Sequence, residues 1–176
     1  MKDINKLIDR AQDEVLWILI AYYVFKSRPN LFNSKEINRH QFVGLLIMTK
    51  CLVRDIVLRL TRLDEKGQGA KLFREITKHG GKSSKYADNI VDWKNAVINF
   101  RDRISHLKNE RNEFIAHLKD TNPSAYRIEE IPSELQECII EAIKVVDTFR
   151  GKKVSYTFSV GSMEPDINLR EYIGTE

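Results

Sequence analysis

Arg111 and His117 are the residues of this chain best suited to chemistry, and their setting is unusual. Ile90, Trp93, Val97, Phe100, Ile104 and Leu107 recur in steps of three and four, and Phe114 and Leu118 carry the pattern past Arg111. That period marks one apolar seam on a long helix, with Arg111 as the single cation in it. A cation held in such a seam costs roughly several kcal/mol unless it is paired or hydrogen-bonded. Two structural explanations are available: its head reaches water at the end of a bundle, or it pairs with a carboxylate on a neighbouring helix. The functional explanation adds Asn112, which orients neighbours by hydrogen bonds, and His117, whose imidazole exchanges protons near neutral pH. On a straight helix Arg111 and His117 stand about 120° apart. They therefore flank a groove rather than touch, and a second copy of that groove would complete a site. The expectation is a two-fold homodimer.

A different chemistry competes on the same helix. His106, Glu110, Glu113 and His117 share one face, and imidazoles and carboxylates on one face can hold a transition metal in a bundle core. Such sites draw ligands from several helices, and the other inward positions are apolar, so a solvated face is the simpler reading and no metal or cofactor is expected. The chain has no Gly-x-Ser-x-Gly elbow and no Gly-Lys-Ser/Thr phosphate loop. Gly67-Gln68-Gly69 follows a helix and reads as a turn. Cys51, beside an apolar stripe, reads as core rather than nucleophile, and His40 and His79 as surface residues. Arg54, Arg59, Arg62, Lys94, Arg101, Arg103, Lys108 and Lys119 could line a polyanion path, although charged helix faces are commonly just solvated.

The elements that must position these residues follow from composition and period. The 176 residues suit one domain with a real core, and only 8 Gly and 4 Pro favour long helices over a turn-rich β fold. A net charge of +4 permits a phosphate-bearing partner without requiring one. Two isolated cysteines point to a reducing, cytoplasmic compartment. The N-terminus carries no signal-peptide pattern. The apolar run Val15 to Phe25 is too short to span a bilayer, so no membrane role is expected.

Helices are predicted over about 3–26, from Ser34 or His40 to Leu63, over 70–79, over 87–119 and over 133–150. The second carries a stripe of Phe42, Leu45, Thr49, Leu52, Ile56, Leu60 and Leu63, with Asp55 and Arg59 as an i,i+4 pair. Ser133 and Gln136 read as a capping box, and Gly151 as the stop. Val154, Tyr156, Phe158 and Val160 then alternate with polar residues, as in one short strand or extended arm. The fold class is all-α: an antiparallel bundle of four or five helices over 1–150, with an arm over 151–176.

Arg111-Asn112, four further residues and His117, near the end of a long helix in a small bundle, resembles the signature of the HEPN superfamily. The stretch from Leu52 to Asp64 looks like its Abi-U branch, whose members are linked to abortive phage infection. The resemblance covers roughly residues 1 to 150. It implies a metal-independent endoribonuclease that cuts RNA where two motifs meet across a dimer. His117 would then move protons, Arg111 would hold the phosphate and Asn112 would position them; of the basic residues read above as a polyanion path, Lys108, Lys119 and Arg103 are the ones expected to contact the substrate. It also implies a defence or toxin role, with a neutralising antitoxin or partner protein. Several toxin-type relatives carry a tyrosine two residues after the histidine, where this chain has Lys119. Other members lack catalysis and serve as modules for RNA or nucleotide binding or for dimerisation, which is the competing expectation.

Overall fold

The computed structural model describes residues 3–27, 38–65, 71–108, 134–161 and 163–175. Helix α1 (Ile4–Ser27) is the element that the others pack around. Ile4, Ile8, Ala11, Val15, Ile18, Leu19, Tyr22 and Phe25 are its buried face, spaced as one helical stripe. Helix α2 (Arg39–Leu63) starts at a capping box: the Asn38 side chain accepts from the Gln41 amide and the Gln41 side chain from the Asn38 amide, both at 3.0 Å. Burial along α2 begins only at Thr49. Phe42 and Leu45, placed on the stripe by their spacing, are half-buried, and Val43, Ile47 and Met48 are exposed. The Arg59–Glu14 ion pair at 2.9 Å ties α2 to α1, and Arg59 also bonds Asp55 at 2.8 Å as its spacing foretold.

Helix α3 (Leu72–Gly80) is short, and a 3₁₀ turn at Ser84–Tyr86 leads into α4 (Ile90–Arg103). The seam residues Trp93, Val97, Phe100, Ile104 and Leu107 are all buried, and Ile90 is half-buried. The long helix expected from 87 starts instead at Ile90, since 87–89 are turn residues after the 3₁₀ turn. It is also interrupted: Ile104 leaves helical geometry at φ −86°, ψ 3°, and the backbone is helical again over 105–108. The expected continuation to Lys119 lies outside the described residues.

Helix α5 (Leu135–Arg150) runs antiparallel to both α1 and α4. Its first turn meets the end of α1 through Tyr22 Oη donating to Gln136 Oε1, and its last residue, Arg150, reaches Asp9 and Gln12 near the start of α1. Against α4, Arg103 pairs with Glu137, and Trp93 Nε1 donates to the Thr148 carbonyl at 3.1 Å. Ser133 of the expected capping box lies outside the described residues, and the structure describes only its partner, Gln136. Its amide bridges Tyr22 and the Ile173 carbonyl, and Glu134 occupies the N-cap without a side-chain cap. Gly151 closes α5 at φ +65°, as its position in the sequence suggested.

The C-terminal segment is richer than a single arm. Strands β1 (Thr157–Val160) and β2 (Met163–Asn168) form an antiparallel hairpin turning at Gly161, and α6 (Leu169–Ile173) follows. Val154, Tyr156, Leu169 and Ile173 join the same core as the preceding helices. Arg170, 7% exposed, fixes the segment: it donates to both Asp147 carboxylate oxygens on α5 and to the Val154 carbonyl. The class is therefore all-α with a small two-stranded addition.

At the centre of the bundle Phe73 packs edge-on against Phe100 and Phe149, and Trp93 against Phe149, with ring centroids 5.1 to 5.6 Å apart. Gly80 ends α3 under this cluster. A methyl group there would sit 2.6 Å from Trp93 Cζ3, in a fully packed region. Gly80→Ala should therefore lower stability by about 1–3 kcal/mol, as overpacking does. A urea titration of the variant checks this, and a midpoint equal to that of wild type would contradict the close approach.

Candidate functional site

The seam of α4 leads to a charge cluster that its period alone does not reveal. Asp64 caps the C-terminus of α2, and its side chain has no exposed area. Arg74 of α3 donates to it through Nε at 2.8 Å and Nη2 at 3.3 Å. Arg101 of α4 does the same at 2.6 and 3.2 Å. Lys108 Nζ lies 3.9 Å from the same carboxylate. Burial pushes the Asp64 pKa up, but the hydrogen bonds and charges of Arg101 and Arg74 outweigh it and hold the carboxyl below the usual carboxylate range. The Arg101 guanidinium is raised in turn, chiefly by its hydrogen bond to Asp64.

Three elements that are separate in sequence thus converge on one carboxylate four residues after Leu60. That spacing was the available signal: Ile56, Leu60 and Asp64 are successive positions of one stripe, so Asp64 is an anion in an apolar seam as Arg111 is a cation in another. Arg74 offered no such sign.

The remaining expected site residues divide. Lys108 belongs to the Asp64 cluster. Arg103 turns the other way and pairs with Glu137 at 2.9 Å, beside an open polar cleft of about 550 Å³ lined by Asn99, Asp102, Ser105, His106, Glu134 and Glu141. His106 Nδ1 lies 3.3 Å from Glu134 Oε2, and its Nε2 is buried without a hydrogen-bond partner among the described residues. Arg111, Asn112, His117 and Lys119 lie outside the described residues, as do Glu110 and Glu113 of the alternative metal face. Among the described residues no group of three His, Cys, Asp or Glu side chains is placed to hold a metal ion.

Of the wider basic set, Arg59 is engaged by Asp55 and Glu14, whereas Arg54, Arg62 and Lys94 are exposed. Cys51 corrects an expectation: it is exposed rather than core, because it sits one position off the buried edge of α2. Cys138 is the buried cysteine, with Sγ 3.6 Å from the Arg103 carbonyl. No helix among the described residues is long and apolar enough to cross a membrane.

Comparison with protein-family models, with curated proteins and with solved structures returned no match.

Asp64 should govern acid stability. Its carboxyl is depressed in the folded state, so the stability it contributes is present above the unfolded carboxyl pKa of about 3.9 and is lost as pH falls through the lower folded value. Asp64→Asn should cost about 3 kcal/mol at pH 7, the lower end for a broken buried pair because the partly exposed guanidiniums left behind can rehydrate. It should also flatten the loss of stability below pH 4. Denaturant midpoints for both proteins from pH 2.5 to 7 test this, and parallel curves would refute the assignment.

Proposed function

We propose that this protein is a metal-independent endoribonuclease in which Arg111, Asn112 and His117 act on an RNA phosphodiester. One observation carries the reading. The seam from Trp93 to Leu107 is buried, and the next position in its three-four period is Arg111. A cation written into the next sequence position of a seam that is core over this length is the mark of a charge kept for use. The resemblance of Arg111, Asn112 and His117 to the HEPN motif supplies the chemistry.

In that chemistry the RNA 2′-oxygen attacks phosphorus and the 5′-oxygen leaves. The products are a 2′,3′-cyclic phosphate and a 5′-hydroxyl. His117 moves a proton at the attacking or the leaving oxygen. Arg111 donates two parallel N–H bonds to the non-bridging oxygens as their charge grows. Asn112 holds the histidine or the phosphate in place. The nucleophile is internal to the substrate, so no water needs activation by a metal. Lys108 stands three positions before Arg111 and is the described cation best placed along the chain to contact substrate. Arg103, paired with Glu137, is the weaker of the two. Action as a homodimer in the cytoplasm, in antiphage defence with a neutralising partner, belongs to the same proposal.

The test is incubation of the purified protein with total RNA in EDTA, beside a His117→Ala control. Cutting should survive EDTA, vanish in the variant, vary with pH between roughly 6 and 8, and leave cyclic phosphate ends. RNA carrying 2′-O-methyl sugars at the cut site should resist. Cutting of 2′-deoxy substrates only when metal is added would remove Arg111 and His117 from these roles. Binding without any cutting would favour a non-catalytic module.

A further inference from the structure

The Asp64 cluster holds more positive charge than a structural bridge needs. One buried carboxylate is met by two guanidiniums, with Lys108 close by. Each arginine spends its Nε–Nη2 edge on Asp64. Neither Nη1 makes a hydrogen bond among the described residues, and the two side chains keep 29% and 38% of their exposure while the carboxylate keeps none. The carboxylate is thus the inner wall, and the two arginine side chains around it stay partly exposed.

The backbone behind these side chains is rigid. Phe73 and Phe100, the residues just before Arg74 and Arg101, stack edge to face in the core at 5.1 Å. That contact fixes the two helices against each other, so both arginines leave the bundle at a set spacing. Glu75 and Asp102 follow them by about 100° around their helices, and Asp102, which is exposed, is the smallest contributor to the raised Arg101 pKa.

We propose that Asp64 is a positioning residue that presents Arg74 and Arg101 as a paired phosphate clamp for the backbone of single-stranded RNA, a contact additional to those of Arg111 and His117. Paired guanidinium edges match the oxygen geometry of a phosphodiester better than mobile lysines do. Prior fixation by the carboxylate removes much of the ordering cost of binding. The choice of RNA rests on the nuclease reading above; the clamp itself requires only a phosphodiester.

The test is fluorescence anisotropy with a 2′-O-methyl RNA oligonucleotide, which binds without being cut, over a range of salt concentrations. Arg101→Gln should weaken binding about 5–10-fold at low salt and reduce the slope of log K against log salt by about one. Asp64→Asn separates positioning from bulk charge. It makes the protein more positive, so charge alone would tighten binding, whereas a clamp that has lost its inner wall should bind several-fold more weakly. Tighter binding by Asp64→Asn, or wild-type affinity and slope in Arg101→Gln, overturns the proposal, as does a wild-type protein with no affinity for this RNA.

Thermal melts establish that each variant is folded. If either is not, phenylglyoxal modification of the wild-type protein with and without the oligonucleotide answers the same question. Arg74 and Arg101 should be protected by RNA, and equal modification in both samples counts against the clamp. Wild-type binding without cleavage ends the nuclease reading and leaves the clamp standing. Cleavage with unprotected arginines does the reverse.

Discussion

A single carboxylate decides how α2, α3 and α4 meet. Asp64 has no access to water, so its charge must be answered from within the protein. The answer comes from Arg74 and Arg101, one from each of the next two helices. Withdrawing either cation would leave a buried charge half compensated, and withdrawing the carboxylate would set two guanidiniums beside each other. The aromatic contact of Phe73 with Phe100 supplies the apolar side of the same junction. Packing holds the helices together there, and the ion cluster fixes their register, a division of labour in which the polar part specifies more than it stabilises.

Arg101, Lys108 and Arg103, grouped together by the sequence, fall on two separate surfaces. On one, Arg74, Arg101 and Lys108 gather around Asp64. On the other, Arg103, paired with Glu137, and His106 share a cleft with Asp102, Glu134 and Glu141, where carboxylates outnumber cations. Cations predominate on the first and carboxylates on the second. Arg101 and Arg103 are two residues apart yet belong to opposite environments, because two steps on a helix turn the side chain through about 200°.

What was legible in the sequence is what periodicity carries. The stripes of α1, α4 and α5 and the stop at Gly151 follow from apolar spacing and from glycine's freedom at positive φ. The first half of α2 is less buried than its period predicts. Phe42 and Leu45 fit the period, but period reports which residues share a face and not whether another element covers that face. In sequence the hairpin and α6 read as one arm because β2 contains Pro165 and Asp166, poor strand residues, and its pairing is fixed by its neighbour rather than by its own pattern. The Asp64 cluster was missed for a related reason. An ion pair between helices depends on three-dimensional approach, and Arg74 looks in sequence like any arginine on a short helix.

The route by which the last helix is fastened has a consequence for biosynthesis. Ser27 at the end of α1 hydrogen-bonds Tyr172, 145 residues later, and Tyr23 stacks edge-on against the same ring. Buried Ile173 and Leu169 complete the core over that region. At ordinary translation speeds of about 5–20 residues per second, α1 waits roughly 7 to 30 s for these partners to be made. The first helix of the chain therefore spends its early life with an uncovered apolar flank on the ribosome. Tyr23, whose ring packs on Tyr172 in the folded protein, lies on that flank and is what a nascent-chain chaperone would meet during the interval.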